Sequence, residues 1–202
     1  WPFEEKLSKE FESIGFFISD HPINEYKEVF DIYKIQNFNS FMGSLKNETV
    51  LAATIMKIQE KKTQRGTPFL IAKFSDLGGV FELFIFSEIL EQNRDILKVG
   101  RSVMITVVKD LNNQDNRFKR VSVRKLVSLN EISQQSVPKI TFEVEKLENL
   151  KNLSDLISEK GNTNVKIVVQ NDSKSFIFEL HEKRKTNFKI LKSLKSKPYF
   201  KR

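Results

Sequence analysis

Phe69-Leu70-Ile71-Ala72-Lys73-Phe74-Ser75-Asp76-Leu77-Gly78-Gly79-Val80-Phe81-Glu82-Leu83-Phe84-Ile85-Phe86 reads as two extended segments folded about one turn. Aliphatic and aromatic side chains fill both arms, and Asp76-Leu77-Gly78-Gly79 supplies the positive backbone φ that a tight reversal needs at one or both glycines. Side chains alternate along a strand. If Leu70, Ala72 and Phe74 face a core, Phe69, Ile71 and Lys73 lie on the opposite face, beside Glu82 and Phe84.

Outward from this hairpin, β-branched or aromatic runs recur at Val50 to Ile58, Ser102 to Val108 and Phe118 to Val127, and a helical patch from Ser87 to Leu97 falls between the third and fourth runs. Five short strands with a helix after the third fit an OB-type barrel. Gly66 and Pro68 close the first loop, and the polar stretch Asp110 to Arg117 is a hairpin tip.

Before the barrel, Phe3, Leu7, Phe11, Ile14 and Ile18 recur every three or four positions, which predicts an amphipathic helix that Gly15 ends or bends. A second short helix is expected from Asn24, an N-cap just after Pro22. Beyond the barrel, Ile140, Phe142 and Val144 alternate as a strand. Leu147, Leu150, Leu153 and Ile157 line a helix ending at Gly161. Strands Val165 to Val169 and Phe176 to Leu180 follow, joined by the turn Asn171-Asp172-Ser173, and a last helix carries Phe188, Leu191 and Leu194. The fold class is a mixed α/β multidomain chain: helical lead-in 1–46, five-stranded OB barrel 47–129, linker 130–138, and a small two-layer β-α-β-β-α domain 139–202.

The composition bounds what such a chain does. With 202 residues, 39% of them hydrophobic, there is material for small packed cores, and 18 phenylalanines argue against disorder. The net charge of +8 favours a polyanionic partner, although a Lys-rich solvated surface explains it equally. The absence of cysteine excludes disulfides and thiolate chemistry and fits a reducing cytoplasm. No run is long enough to span a membrane, so no membrane partner is expected, and a start at Trp1 without Met suggests a piece of a larger protein.

An OB barrel binds single strands across its second and third strands, helped by the loops joining strands one to two and four to five. The first loop holds Lys61, Lys62 and Arg65, and the fourth loop and its exit hold Arg117, Lys119 and Arg120. Phe69 and Phe84 are candidate stacking platforms, with Lys73 beside them. Stacking on an aromatic contributes about 1–3 kcal/mol per base whatever the base, although both rings could instead cover a protein interface. Glu82 on the same face opposes phosphate. After His181, nine Lys and Arg face only Glu182, a block suited to DNA or an acidic surface, or simply a frayed, solvated terminus.

Catalysis finds no footing. His21 and His181 lie in different domains without metal-ligand spacing, and no nucleophile with an oriented base or glycine-rich phosphate loop is recognisable. No catalytic residue, metal site or cofactor is expected.

The run Gly15-Phe16-Phe17-Ile18-Ser19-Asp20-His21-Pro22, with Tyr26 after it, resembles the segment preceding the OB domain in the bacterial replicative polymerase family, the DNA polymerase III alpha subunits. Asp20 stands where that family usually has glycine. Lys62 to Phe69 is similar to the family's basic loop ending in Gly-x-Pro, and Asp76 to Gly79 with Glu82 to Phe86 resembles its Asp-x-x-Gly turn and the apolar run after it. The likeness continues from Gly100 to Val123 and, more weakly, into the terminal domain with Gly161.

The resemblance implies a C-terminal piece of such a polymerase, without the palm, fingers and histidinol-phosphatase-like domains that hold the family's catalytic acids. Such a piece is not expected to polymerise by itself. Its implied partners are single-stranded template DNA at the barrel, the tau subunit of the clamp loader at the terminal domain, and the rest of the polymerase chain. Direct binding to the sliding clamp is not expected. Two other readings stand: an anticodon-binding OB module of an aminoacyl-tRNA synthetase, and a protein-interaction scaffold without nucleic-acid affinity.

Overall fold

The computed structural model describes residues 3–109, 121–144, 150, 153, 157–171, 174–195 and 200–201. The chain divides into two compact units, Trp1–Ile132 and Ser133–Arg202.

In the first unit, β1 (Glu48–Lys62), β2 (Pro68–Asp76), β3 (Gly79–Phe86), β4 (Ser102–Lys109) and β5 (Val121–Ser128) close a barrel in the order β1-β2-β3-β5-β4. This is the OB-fold that the strand spacing predicts. All neighbours are antiparallel except β3 and β5. Alternation fills the interior with Leu70, Ala72 and Phe74 from β2, Phe81, Leu83 and Ile85 from β3, and Val103, Ile105 and Val107 from β4. Burying each large side chain of this kind stabilises the fold by about 1.5–3 kcal/mol.

Helices complete that core. α1 (Phe3–Ile14) stops before the predicted Ile18, where the Gly15 amide donates to the Phe11 carbonyl. The next element is a 3-10 turn, Pro22–Tyr26, leading into α2 (Lys27–Tyr33). Its N-cap is His21 rather than Asn24: the imidazole Nδ1 accepts the Ile23 amide at 3.2 Å, and Asn24 instead donates its side chain to Asp20. α3 (Phe38–Gly43) is a helix the sequence did not announce, because six residues are too few to show a period. It plugs the barrel: Phe41 is fully buried, and Phe38 stacks on Phe81 with centroids 4.3 Å apart. α4 (Ser87–Gln92) occupies the front of the predicted helical patch and buries Leu90.

The Asp76-Leu77-Gly78-Gly79 turn fastens α3 to the barrel. The buried Asp76 carboxylate accepts the Phe38 amide at 2.6 Å and the Gly78 amide at 2.7 Å. Only Gly79 has positive φ, at 139°, whereas Gly78 is required for space: a Cβ there would come within 2.9 Å of the Asn37 side chain. His21 adds a second fastening, its Nε2 lying 3.0 Å from the Ser75 hydroxyl.

α5 (Leu129–Gln134) occupies the first part of the predicted linker. In the second unit, β6 (Lys139–Val144), β7 (Lys160–Asn171), β8 (Lys174–Glu179) and β9 (Phe200–Lys201) form a sheet ordered β8-β7-β6-β9, with α6 (Phe188–Lys195) before the last strand. Ile140, Phe142, Val144, Val165, Ile167 and Val169 are buried, as are Leu153, Ile157, Phe188 and Leu191. Leu150 and Leu153 are helical, whereas Leu147, Asp172, Ser173 and the side chain of Leu194 lie outside the described residues. Gly161 is not a helix cap. It lies inside β7, where a Cβ would meet the Lys185 backbone at 2.5 Å, so close strand approach explains the glycine. The basic terminus is not simply frayed, since β9 pairs with β6 through Val144 and Phe200.

Candidate nucleic-acid interface

Strand register assembles the outer face of β1, β2 and β3. Residues facing each other across paired strands point to the same side, so each facing set forms a row across the sheet. One row is Lys61, Phe69 and Phe86, the next Gln59, Ile71 and Phe84, and the third Lys57, Lys73 and Glu82. Phe84 and Phe86 are 49% and 57% exposed, which is unusual for rings with a core available. The Phe69 and Phe84 centroids are 6.2 Å apart with planes inclined at 32°.

The alternation rule thus places Phe69, Lys73 and Phe84 together, with Glu82 directly opposite Lys73. Lys61 and Lys62 belong to β1 rather than to the loop, because that strand runs longer than its apolar part. Lys61 faces Phe69, Lys62 faces Pro68 and lies on the other side by alternation, and Arg65 sits in the turn beyond. Arg117, Lys119 and Arg120 lie outside the described residues.

Three members of this face, Lys57, Gln59 and Phe86, escaped the sequence reading. Phe86 follows Phe84 by two positions, so extending the same alternation would have found it. Lys57 could not be placed so simply, since the register of β1 shifts between Ile55 and Lys57 at an irregularity that no composition signal marks.

Not every cation of the chain is available for phosphate. Arg94 grips Glu60 with both terminal nitrogens at 3.1 Å, and this hydrogen-bonded guanidinium holds the Glu60 carboxyl below its usual range. Lys109 is buried, donating to the carbonyls of Phe41 and Ser44 at 2.7 Å each and lying 4.4 Å from the Phe41 ring centroid. In the second unit, Lys160 and Arg184 share Glu182, and Lys185 pairs with Glu159 at 2.8 Å. Part of the basic block is therefore matched by acids.

Among the described residues no group of three or more His, Cys, Asp or Glu could hold a metal ion. No helix among them is long and apolar enough to cross a membrane.

No family model matches the chain. Curated relatives do. DNA polymerase III subunit alpha of Rickettsia bellii is 30% identical over 179 residues, covering 85% of this chain and 15% of the relative. The subunit of the same name from Rickettsia conorii is 37% identical over 107 residues, half of this chain and 9% of the relative. That of Buchnera aphidicola is 24% identical over 179 residues, 86% of this chain and 15% of the relative. The chain thus spans about a seventh or less of the length of these relatives. Homologous along most of its own length to a C-terminal region of the alpha subunit of bacterial DNA polymerase III, the chain belongs to that family.

Proposed function

We propose that this chain is a non-catalytic part of a replicative DNA-directed DNA polymerase, holding single-stranded template DNA across the outer face of β1, β2 and β3. The observation that carries the reading is the row structure: exposed Phe84 and Phe86 beside Phe69, flanked by Lys57, Lys61 and Lys73 on adjacent strands. Aromatic planes take bases without regard to sequence, and cations spaced along the same face take the phosphates between them. A template reader needs this indifference to sequence. Glu82 opposes the strand's charge, and Lys73 facing it offsets that opposition.

The homology favours this reading over an anticodon-binding module, because the matching relatives are named as polymerase subunits. The finer assignment of the tau subunit of the clamp loader as partner of residues 139–202 rests on the family resemblance, the cytoplasmic setting on the absence of cysteine, and the absence of a cofactor on the lack of a recognisable motif for one. A protein-docking role is the second reading, favoured by exposed Val80, Phe84 and Phe86 along β3.

Fluorescence anisotropy of a labelled oligonucleotide, titrated at low and moderate salt, decides between them. Binding is expected to weaken with salt, and alanine at Lys57, Lys61 and Lys73 should reduce the slope of log affinity against log salt by about 2. Phe84→Ala should weaken binding by about 1–3 kcal/mol with little change in slope. No binding at low salt overturns the template role and favours protein docking.

A further inference from the structure

One strand of the terminal sheet is uncovered. β8 stands at the outside of the order β8-β7-β6-β9, and every residue from Lys174 to Glu179 is exposed. Three of them are large and apolar: Phe176, Ile177 and Phe178, at 47%, 59% and 48% exposure. Natural edge strands are usually blunted by proline, a bulge or central charges. β8 has no proline, its register with β7 runs without a shift, and its charged residues stand only at its two ends. Such an edge offers unpaired backbone donors and acceptors to another strand.

The sequence of β8 selects the occupant. In an isologous contact, if residue i of one copy faces residue j of the other, then j faces i. Facing residues in an antiparallel pair share a side of the sheet, so the two-fold axis must pass through a residue and not between two. Phe176-Ile177-Phe178 reads identically in both directions about Ile177.

Pairing about that axis sets Ile177 against Ile177 and Phe176 against Phe178 of the second copy. Ser175 then faces Glu179, and Lys174 faces Leu180, so no like charges oppose each other. Phe176 and Phe178 share the side of β7 that carries buried Val169 and Ile167, so the four rings extend the apolar layer across the joint. The strand is formally neutral within a chain of net charge +8, which spares two basic molecules direct repulsion there.

We propose that β8 is a self-association edge, by which two copies of this chain pair antiparallel about Ile177 and join their four-stranded sheets into one. This inference is independent of the DNA-binding reading.

Sedimentation equilibrium of the 202-residue chain, from about 5 to about 300 μM, tests it. The weight-average mass is expected to rise from one copy towards two. Ile177→Lys sets two ammonium groups against each other on the axis and should weaken association at least about tenfold. Ser175→Lys places a lysine opposite Glu179 of the second copy, twice per dimer, and should tighten association several-fold, a result that only this register gives. Both side chains are exposed and lie away from the buried side, so circular dichroism and melting should match the parent chain. A parent chain that stays monomeric throughout, a dimer indifferent to Ile177→Lys, or a Ser175→Lys chain that does not tighten would each overturn the proposal.

Discussion

Both ring nitrogens of His21 are engaged, Nδ1 by the Ile23 amide and Nε2 by the Ser75 hydroxyl, so the imidazole is held neutral with its proton on Nε2. Burial lowers its pKa below 6.5, against the opposing pull of Asp76 and Asp20. Charging the ring adds a second proton at Nδ1, which accepts the Ile23 amide, so the unfolded chain takes up that proton more readily than the folded one. The stabilisation is complete above the ordinary value and is lost as pH falls through the lowered folded value. Urea unfolding of the parent chain and of His21→Gln at about pH 8 and about pH 5.5 should show a stability gap that narrows at the lower pH. A gap that stays constant would refute the role. None of this was legible in the sequence beyond a turn residue before Pro22, because the Ser75 partner lies 54 positions away. Phe69 and Phe84 were legible, since alternation about a known core face is a local rule.

Among the elements, the strands of the barrel were readable and the helix that closes it was not. Alternating residues repeat often enough along β2 and β3 to declare their inward faces, whereas the six residues of α3 are placed by a carboxylate on a different element. Asp76→Ala leaves the amides of half-buried Phe38 and exposed Gly78 without that acceptor, and should cost about 1–3 kcal/mol in urea unfolding. Asp76→Asn keeps one side-chain carbonyl and should cost less. Equal stability of all three chains would mean that α3 is held by Phe38 and Phe41 alone. Gly161 shows the opposite failure of local reading: a glycine after an apolar helical pattern suggested a cap, while the true constraint is the backbone of Lys185.

For the molecule as a whole, the order of elements and the basic balance pointed to an OB barrel with an α+β companion, and the barrel and the second sheet are both present. What the chain could not declare was the pair of strands at which the barrel closes. Among the described residues, β2 and β3 face each other continuously from Phe69 with Phe86 to Asp76 with Gly79, whereas β3 and β5 meet at the single pair Phe84 and Ser122. Phe84 therefore stands at once on the aromatic platform of the candidate face and at the seam where β3 meets β5. The unbroken pairing of β2 with β3 fixes Phe84 beside Phe69. On the template-binding reading, added oligonucleotide should slow hydrogen exchange at the amides of Phe84 and Phe86 more than at those of Val103 and Ile105 on β4. Equal slowing at all four amides would point away from the face of β3 as the contact. With its rings side by side on paired strands, the proposed face would meet every base with the same flat surface, and indifference to sequence would need no pocket shaped to any one of them.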